Sequence, residues 1–209
     1  MKRCYFVVVT VLALGLAAPA AAQFMYLDAN GDGVCDGSDV INSELVSLDV
    51  YLVTDQNADG NPTLCPTGED LTMGSYSFIL RRDALAGVLH LEFGAWTDSL
   101  GYPTGLTDQG ARMEGDNDLW IALGGGAILP PGKHKLGSLA VTVSGISFLT
   151  LVSTSSMSSR ASTSFASACP GAFGDNTMRY GIDFFDVCGT SFTSDATSTT
   201  WGRIKALYR

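Results

Sequence analysis

Apolar and polar residues alternate with a period of two along most of this chain. In LVSLDVYLV (45–53), Val46, Leu48, Val50 and Leu52 alternate with Ser47, Asp49 and Tyr51, the pattern of a half-buried strand. The same reading applies to SYSFILR (75–81), GVLHLEFGAW (87–96), DLWIAL (118–123), LGSLAVTV (136–143), ISFLTLV (146–152) and RYGIDFFDV (179–187). Clusters of Gly, Pro, Asp and Asn separate these runs. Short strands at this density predict an all-β fold, a single antiparallel β-sandwich over residues 23–200.

Two segments depart from plain alternation. In GGGAILPPGKHKLGSLAVTV (124–143), three glycines and Pro130-Pro131-Gly132 predict a turn that feeds a strongly alternating strand. It is not a phosphate loop, because His134 follows Lys133 where that motif needs Ser or Thr. At the end of the chain, TTWGRIKALYR (199–209) places Trp201, Ile204 and Leu207 or Tyr208 on one helical face. That predicts a short C-terminal helix, with Arg203, Lys205 and Arg209 forming a basic tail over 201–209.

The beginning of the chain reads as an export signal over residues 1–22. Lys2 and Arg3 precede an apolar run, and AAPAAAQ supplies small residues for cleavage after Ala22. The run is short for a bilayer span, so the expectation is a secreted, extracellular or cell-surface protein with no membrane span after cleavage. Formal charge is −9 before cleavage, and losing Lys2 and Arg3 makes the remainder more acidic still. A nucleic-acid partner is excluded on that ground, since phosphate binding needs a basic surface. Of the 21 acidic residues 17 are Asp, the side chain that suits tight turns and compact oxygen cages. Cys35, Cys65, Cys169 and Cys188 survive cleavage, an even number that predicts two disulfides with three connectivities open. Neighbourhood along the chain favours Cys35 with Cys65 and Cys169 with Cys188.

The strongest chemical signal is DANGDGVCDGSD (28–39). Calcium takes about six to eight oxygens, and a tight loop supplies them when acidic side chains alternate around a turn glycine. Counting Asp28 as position one, Asn30 is three, Asp32 five, Val34 the backbone carbonyl at seven, Asp36 nine and Asp39 twelve, with Gly33 at the sharp turn. The stretch resembles the calcium loop of EF-hand proteins, and Asp at position twelve makes it similar to the dockerin version. The resemblance implies bound Ca2+. It covers only these twelve residues: QFMYL before the loop is too short for an entering helix, VINSELVSL after it soon becomes a strand, and Cys35 stands where an aliphatic residue is usual.

A second acidic segment spans 55–70. Asp55, Asn57, Asp59 and Gly60 repeat the first half of the motif, which then fails at Pro62 and Pro66. With Cys35 joined to Cys65, the two acidic loops would be drawn together as a paired site. Glu114, Asp116 and Asp118 alternate with no turn glycine after them and read as a strand-entry loop. Asp175, Asn176, Asp183 and Asp186 carry a weaker signal.

Three runs, VSLDVYLVTD, GSYSFILRRDALAGVLHLEF and LPPGKHKLGSLAVTV, resemble secreted cohesin-like or carbohydrate-binding-like sandwiches across about half the chain. That resemblance implies a recognition or scaffold domain rather than an enzyme and carries over no binding residues. No GxSxG, HExxH or SxxK frame is present. The resulting expectation is a calcium-binding structural or adhesion module that meets a protein partner or its own copies, in fibres if the contact propagates. One alternative is a carbohydrate-binding module with Trp96, Tyr102 or Trp120 as a stacking platform. The other is a secreted hydrolase of polysaccharides, for which His90 and Glu92, on one face of VLHLEF, are the marked pair.

Overall fold

Most of the alternating runs become sheet. The computed structural model describes residues 23–57, 60–62, 64, 71–83, 90–111, 117–145, 147–152, 161–167, 178–180 and 182–184. The export signal, Asp59, Cys65, Cys169, Cys188, Glu114, Asp116, Asp175, Asn176, Asp186 and the C-terminal helix lie outside the described residues. The strands are β1 (Gln23–Asp28), β2 (Ser47–Asn57), β3 (Met73–Asp83), β4 (Leu91–Asp98), β5 (Thr104–Ala111), β6 (Asn117–Leu129), β7 (Lys133–Val143), β8 (Phe148–Val152), β9 (Ser164–Ser167), β10 (Met178–Tyr180) and β11 (Ile182–Phe184). The fold is all-β, and no helix occurs among the described residues.

One sheet has the order β11-β1-β2-β7-β4, the other β10-β9-β3-β6-β5 with β8 also on β3. β1 and β11 run parallel; the other pairings are antiparallel. Period-two alternation sends one set of side chains from strands of both sheets into a shared apolar cluster. Met25, Leu27, Leu48, Val50, Leu52 and Leu139 from the first sheet meet Tyr76, Phe78, Leu80, Ile121 and Phe165 from the second. Each such side chain, fully buried, contributes about 1.5–3 kcal/mol. Val46 departs from the expected pattern: it precedes β2 and is 74% exposed, so inward packing begins only at Leu48.

β8 and β9 lie end to end along the same edge of β3. β8 pairs with Ile79 to Asp83, and β9 with Ser75 to Ser77. Between them, the Thr163 hydroxyl donates to the Val152 carbonyl (2.5 Å) and accepts the Ile79 amide (3.0 Å). One side chain therefore continues the hydrogen bonding of β3 across a break in its neighbour.

The three glycines expected to turn the chain lie inside β6, and Pro130, Pro131 and Gly132 make the turn alone. Close approach explains the difference, because a Cβ on Gly126 would stand 2.2 Å from the Tyr102 ring. That ring is buried, with its hydroxyl on the Met73 carbonyl (3.2 Å) and its backbone amide on Asp98 (2.9 Å). Asp98 in turn accepts the Tyr76 hydroxyl at 2.5 Å, which ties an edge strand to the core. Gly126→Ala is expected to cost about 1–3 kcal/mol by overpacking. Urea denaturation measures this, and a change below about 0.5 kcal/mol would mean that the Tyr102 ring yields freely.

Candidate cation-binding loop

β1 delivers the loop. Met25 and Leu27 point into the core, so Phe24, Tyr26 and Asp28 point to the opposite face of the sheet. That face is not left to water. Tyr26 is 2% and Asp28 1% exposed, because residues 29–39 fold back over β1 and β2. Phe24, Tyr26, Tyr51, Val53 and Cys35 form a second, smaller apolar cluster there. The Tyr26 and Tyr51 rings stack with centroids 5.1 Å apart and planes 6° from parallel. Cys35 is disulfide-bonded, and its partner lies outside the described residues.

Within the loop each acidic or amide side chain holds backbone amides, which lets the chain turn without unpaired donors. Asp28 accepts from Gly31 (2.7 Å) with one oxygen and from Gly33 (2.7 Å) with the other. Asn30 accepts from the amide of Asp32 (2.9 Å), and Asp32 from that of Val34 (2.7 Å). The side-chain nitrogen of Asn30 donates to Asp32 (3.0 Å) and to the Ser38 hydroxyl (2.5 Å). Asp36 accepts from the amide of Ser38 (2.7 Å), and hydrogen bonds from Ser38 hold its carboxyl below the usual range. Asp39 closes the loop: it accepts from Ala29 (2.7 Å), Asn30 (3.4 Å) and Asp36 (3.3 Å), so position twelve reaches back to position two.

Burial sets the electrostatics. Asp28 and Asp39 are 1% and 0% exposed, and neither has an ion pair among the described residues. Burying an unpaired carboxylate is costly, and backbone N–H groups offset only part of that cost. Burial pushes the Asp39 carboxyl above its ordinary value against the lowering effect of its three amides. It also drives the Tyr26 hydroxyl far above the usual phenol range, with the nearby Tyr51, Asp28, Asp39 and Asp32 adding to the shift. Tyr26 therefore stays protonated and donates to the Gly33 carbonyl at 2.6 Å. Asp49, opposite Asp28 on β2, is satisfied differently, by Lys135 (2.5 Å) and Ser138 (2.6 Å).

The donor set is made of hard oxygens, which suits calcium. Asp28, Asn30, Asp32, Asp36 and Asp39 share one loop, and the Val34 carbonyl accepts no hydrogen bond among the described residues. As the side chains stand, they are turned onto backbone amides. Among the described residues no group of three or more His, Cys, Asp or Glu is arranged to hold a metal ion. A groove of about 440 Å3 opens beside the loop, lined in part by Asp28, Asn30, Ser38, Glu44 and Asp49.

The second acidic segment is placed differently. Asp55 and Asn57 belong to β2, Asp55 is exposed, and Gly60 (φ 78°) turns the chain so that Pro62 pairs back with Gln56. Asp28 is in register with Asp49, whereas Asn57 is in register with Gln23 at the far end of β1. At about 3.3 Å per residue, Asp55 stands roughly 20 Å along the strand from Asp49. The start of the first loop and that of the second therefore lie at opposite ends of the β1–β2 pair.

Elsewhere, several described residues marked in the sequence have structural partners. Asp118, fully buried, forms a two-pronged ion pair with Arg81 (2.9 and 3.0 Å). Tyr102 and Trp96 turn their rings into the core, Trp96 edge-on to Phe78 at 5.2 Å. Trp120 spends its indole N–H on Ser77 (2.8 Å). His90 is half-buried with Glu92 exposed two residues on, and the groove lies at the Asp28 loop rather than beside them. Among the described residues no helix is long and apolar enough to cross a membrane. Comparison with known proteins finds no matching family model, no matching curated protein and no matching solved structure.

The raised Asp39 carboxyl gives a pH signature. A group whose folded value lies above its unfolded one contributes stability that is complete below the unfolded value and lost as pH rises through the folded value. Asp39→Asn keeps an oxygen for the amides of Ala29 and Asn30 and removes the charge. In chelator, urea midpoints of wild type relative to Asp39→Asn are therefore expected to fall as pH rises out of the carboxylate range toward neutrality. A difference that stays constant with pH would show that the buried charge costs nothing.

Proposed function

We propose that the chain is a secreted β-sandwich whose loop 28–39 binds calcium, and that it serves as a structural or adhesion module at the cell surface or in an extracellular assembly. The observation that carries this reading is the burial of Asp28 and Asp39, two carboxylates without a cationic partner among the described residues, in a loop of hard oxygen donors. Asp28, Asn30, Asp32, Asp36 and Asp39 would supply side-chain oxygens and Val34 its carbonyl. The bound ion would neutralise these charges. The loop's own residues do the rest: Asp39 ties the end of the loop to its start, and Gly33 lets the chain turn against Tyr51.

The disulfide of Cys35 supports the same picture. Folding back packs Cys35 against the cluster of Tyr26 and Val53, toward the end of β2 that leads into the second acidic segment, so Cys65 is its proposed partner, with Cys169 and Cys188 as the second pair. Asp55, Asn57 and Asp59 then form a separate, weaker site. An acidic loop face beside an acidic groove suits a basic surface, and the basic tail of another copy (Arg203, Lys205, Arg209) is the proposed contact.

Calorimetric titration tests the site. Wild-type protein is expected to take up calcium, and Asp28→Ala and Asp32→Ala to lose most of the heat. No heat from wild type, or the same heat from the variants, sinks the assignment. Calcium at about 100 times its Kd should add about 2.7 kcal/mol to wild-type stability and leave Asp28→Ala nearly unmoved. Assembly has its own check by electron microscopy with calcium and with chelator: calcium-dependent filaments are expected, and monomers under both conditions would remove the self-association part alone.

A further inference from the structure

Gly33 and the peptide that joins it to Val34 are held by four hydrogen bonds. The Gly33 amide donates to Asp28 (2.7 Å), the Val34 amide donates to Asp32 (2.7 Å), and the Gly33 carbonyl accepts both the Tyr26 hydroxyl (2.6 Å) and the Lys133 ammonium (2.9 Å). Lys133 comes from the start of β7, 100 residues away in sequence, where it pairs in register with Val53 of β2. Its ammonium also stands 5.6 Å from the centroid of the Tyr51 ring, which is stacked on Tyr26. Two strands, β1 and β7, thus reach one carbonyl, and Tyr51 of the strand between them packs against both side chains. Gly33 makes the approach feasible: its φ is 75°, and a Cβ there would lie 3.2 Å from the Tyr51 hydroxyl and 3.7 Å from Lys133.

We propose that Lys133, with Tyr26, is a positioning residue of the loop: by holding the Gly33 carbonyl it fixes the next carbonyl, that of Val34, and the Asp28 carboxylate for a divalent cation. The role rests on the calcium reading above. A calcium loop framed by helices gets its rigidity from them; here the outer face of a sheet does that work through Tyr26, Tyr51 and Lys133. Charge makes the idea sharp, because it predicts the opposite sign from simple repulsion. A lysine close to a cation site should weaken binding, so neutralising it should tighten binding if charge were its only effect. A positioning role predicts the reverse, since partners that orient ligands typically carry about 10–100-fold in metal affinity.

The test uses the whole mature chain with Lys133→Met and Lys133→Arg, calcium titration by calorimetry, and amide hydrogen exchange at Gly33 and Val34 in chelator. Lys133→Met is expected to bind calcium about tenfold or more weakly and to exchange both amides faster, with Lys133→Arg restoring most of each. Thermal unfolding of each variant checks that the fold is retained. Unchanged exchange in Lys133→Met overturns the proposal whatever the titration gives, and so does calcium binding that is equal or tighter. If wild-type protein takes up no calcium, the function proposed above falls, while the clamp itself stands or falls on exchange alone.

Discussion

The fold-back of residues 29–39 onto the outer face of β1 is the constraint on which the rest of this molecule turns. It buries Tyr26 and Asp28 on the side of the strand away from the core, so β1 is covered on both faces. Five backbone amides accepted by Asp28 and Asp39 hold the loop in its turn, and the sheet supplies the floor beneath it. The arrangement concentrates negative charge where water is excluded, a cost that either a cation or neutralisation must offset.

The two apolar clusters divide the labour. The larger one, between the sheets, specifies strand register, because a one-residue slip of β2 would exchange Leu48, Val50 and Leu52 for Ser47, Asp49 and Tyr51. The smaller one, of Phe24, Tyr26, Tyr51, Val53 and Cys35, then depends on that register being correct. Core packing is thereby coupled to loop geometry. A change in the core that shifted β2 against β7 would displace Tyr51 relative to Lys133 and disturb the Gly33 carbonyl that Lys133 holds.

Alternation was legible where one face of a strand meets water and the other the core, as in β7. It failed for β1, whose outer face is covered by the loop, so that MYLD carries no exposed positions to mark the period. β5, in which Gly105, Asp108, Gln109 and Gly110 interrupt the Thr and Leu side chains, offered no strand signal, and β9 is only four residues long. The glycine run misled because a strand that receives an aromatic ring against its backbone needs the same residue as a turn. In the loop, the spacing of acidic positions is local and can be read directly. Tyr26, Tyr51 and Lys133 could not be found that way, since only strand register brings them to Gly33, and nothing near Lys133 marks it except a proline turn.

Thr163 has a consequence for how this fold tolerates change. The sheet edge along β3 is continuous in hydrogen bonds but not in chain, because a hydroxyl stands where a strand residue would be. The two covalent ends at that point, after Val152 and before Thr163, need only be returned to the same place. A different sequence there keeps the ladder only if residue 163 still offers the Ile79 amide an acceptor, Ala161 stays buried and the Ser162 carbonyl still meets the Ser77 hydroxyl.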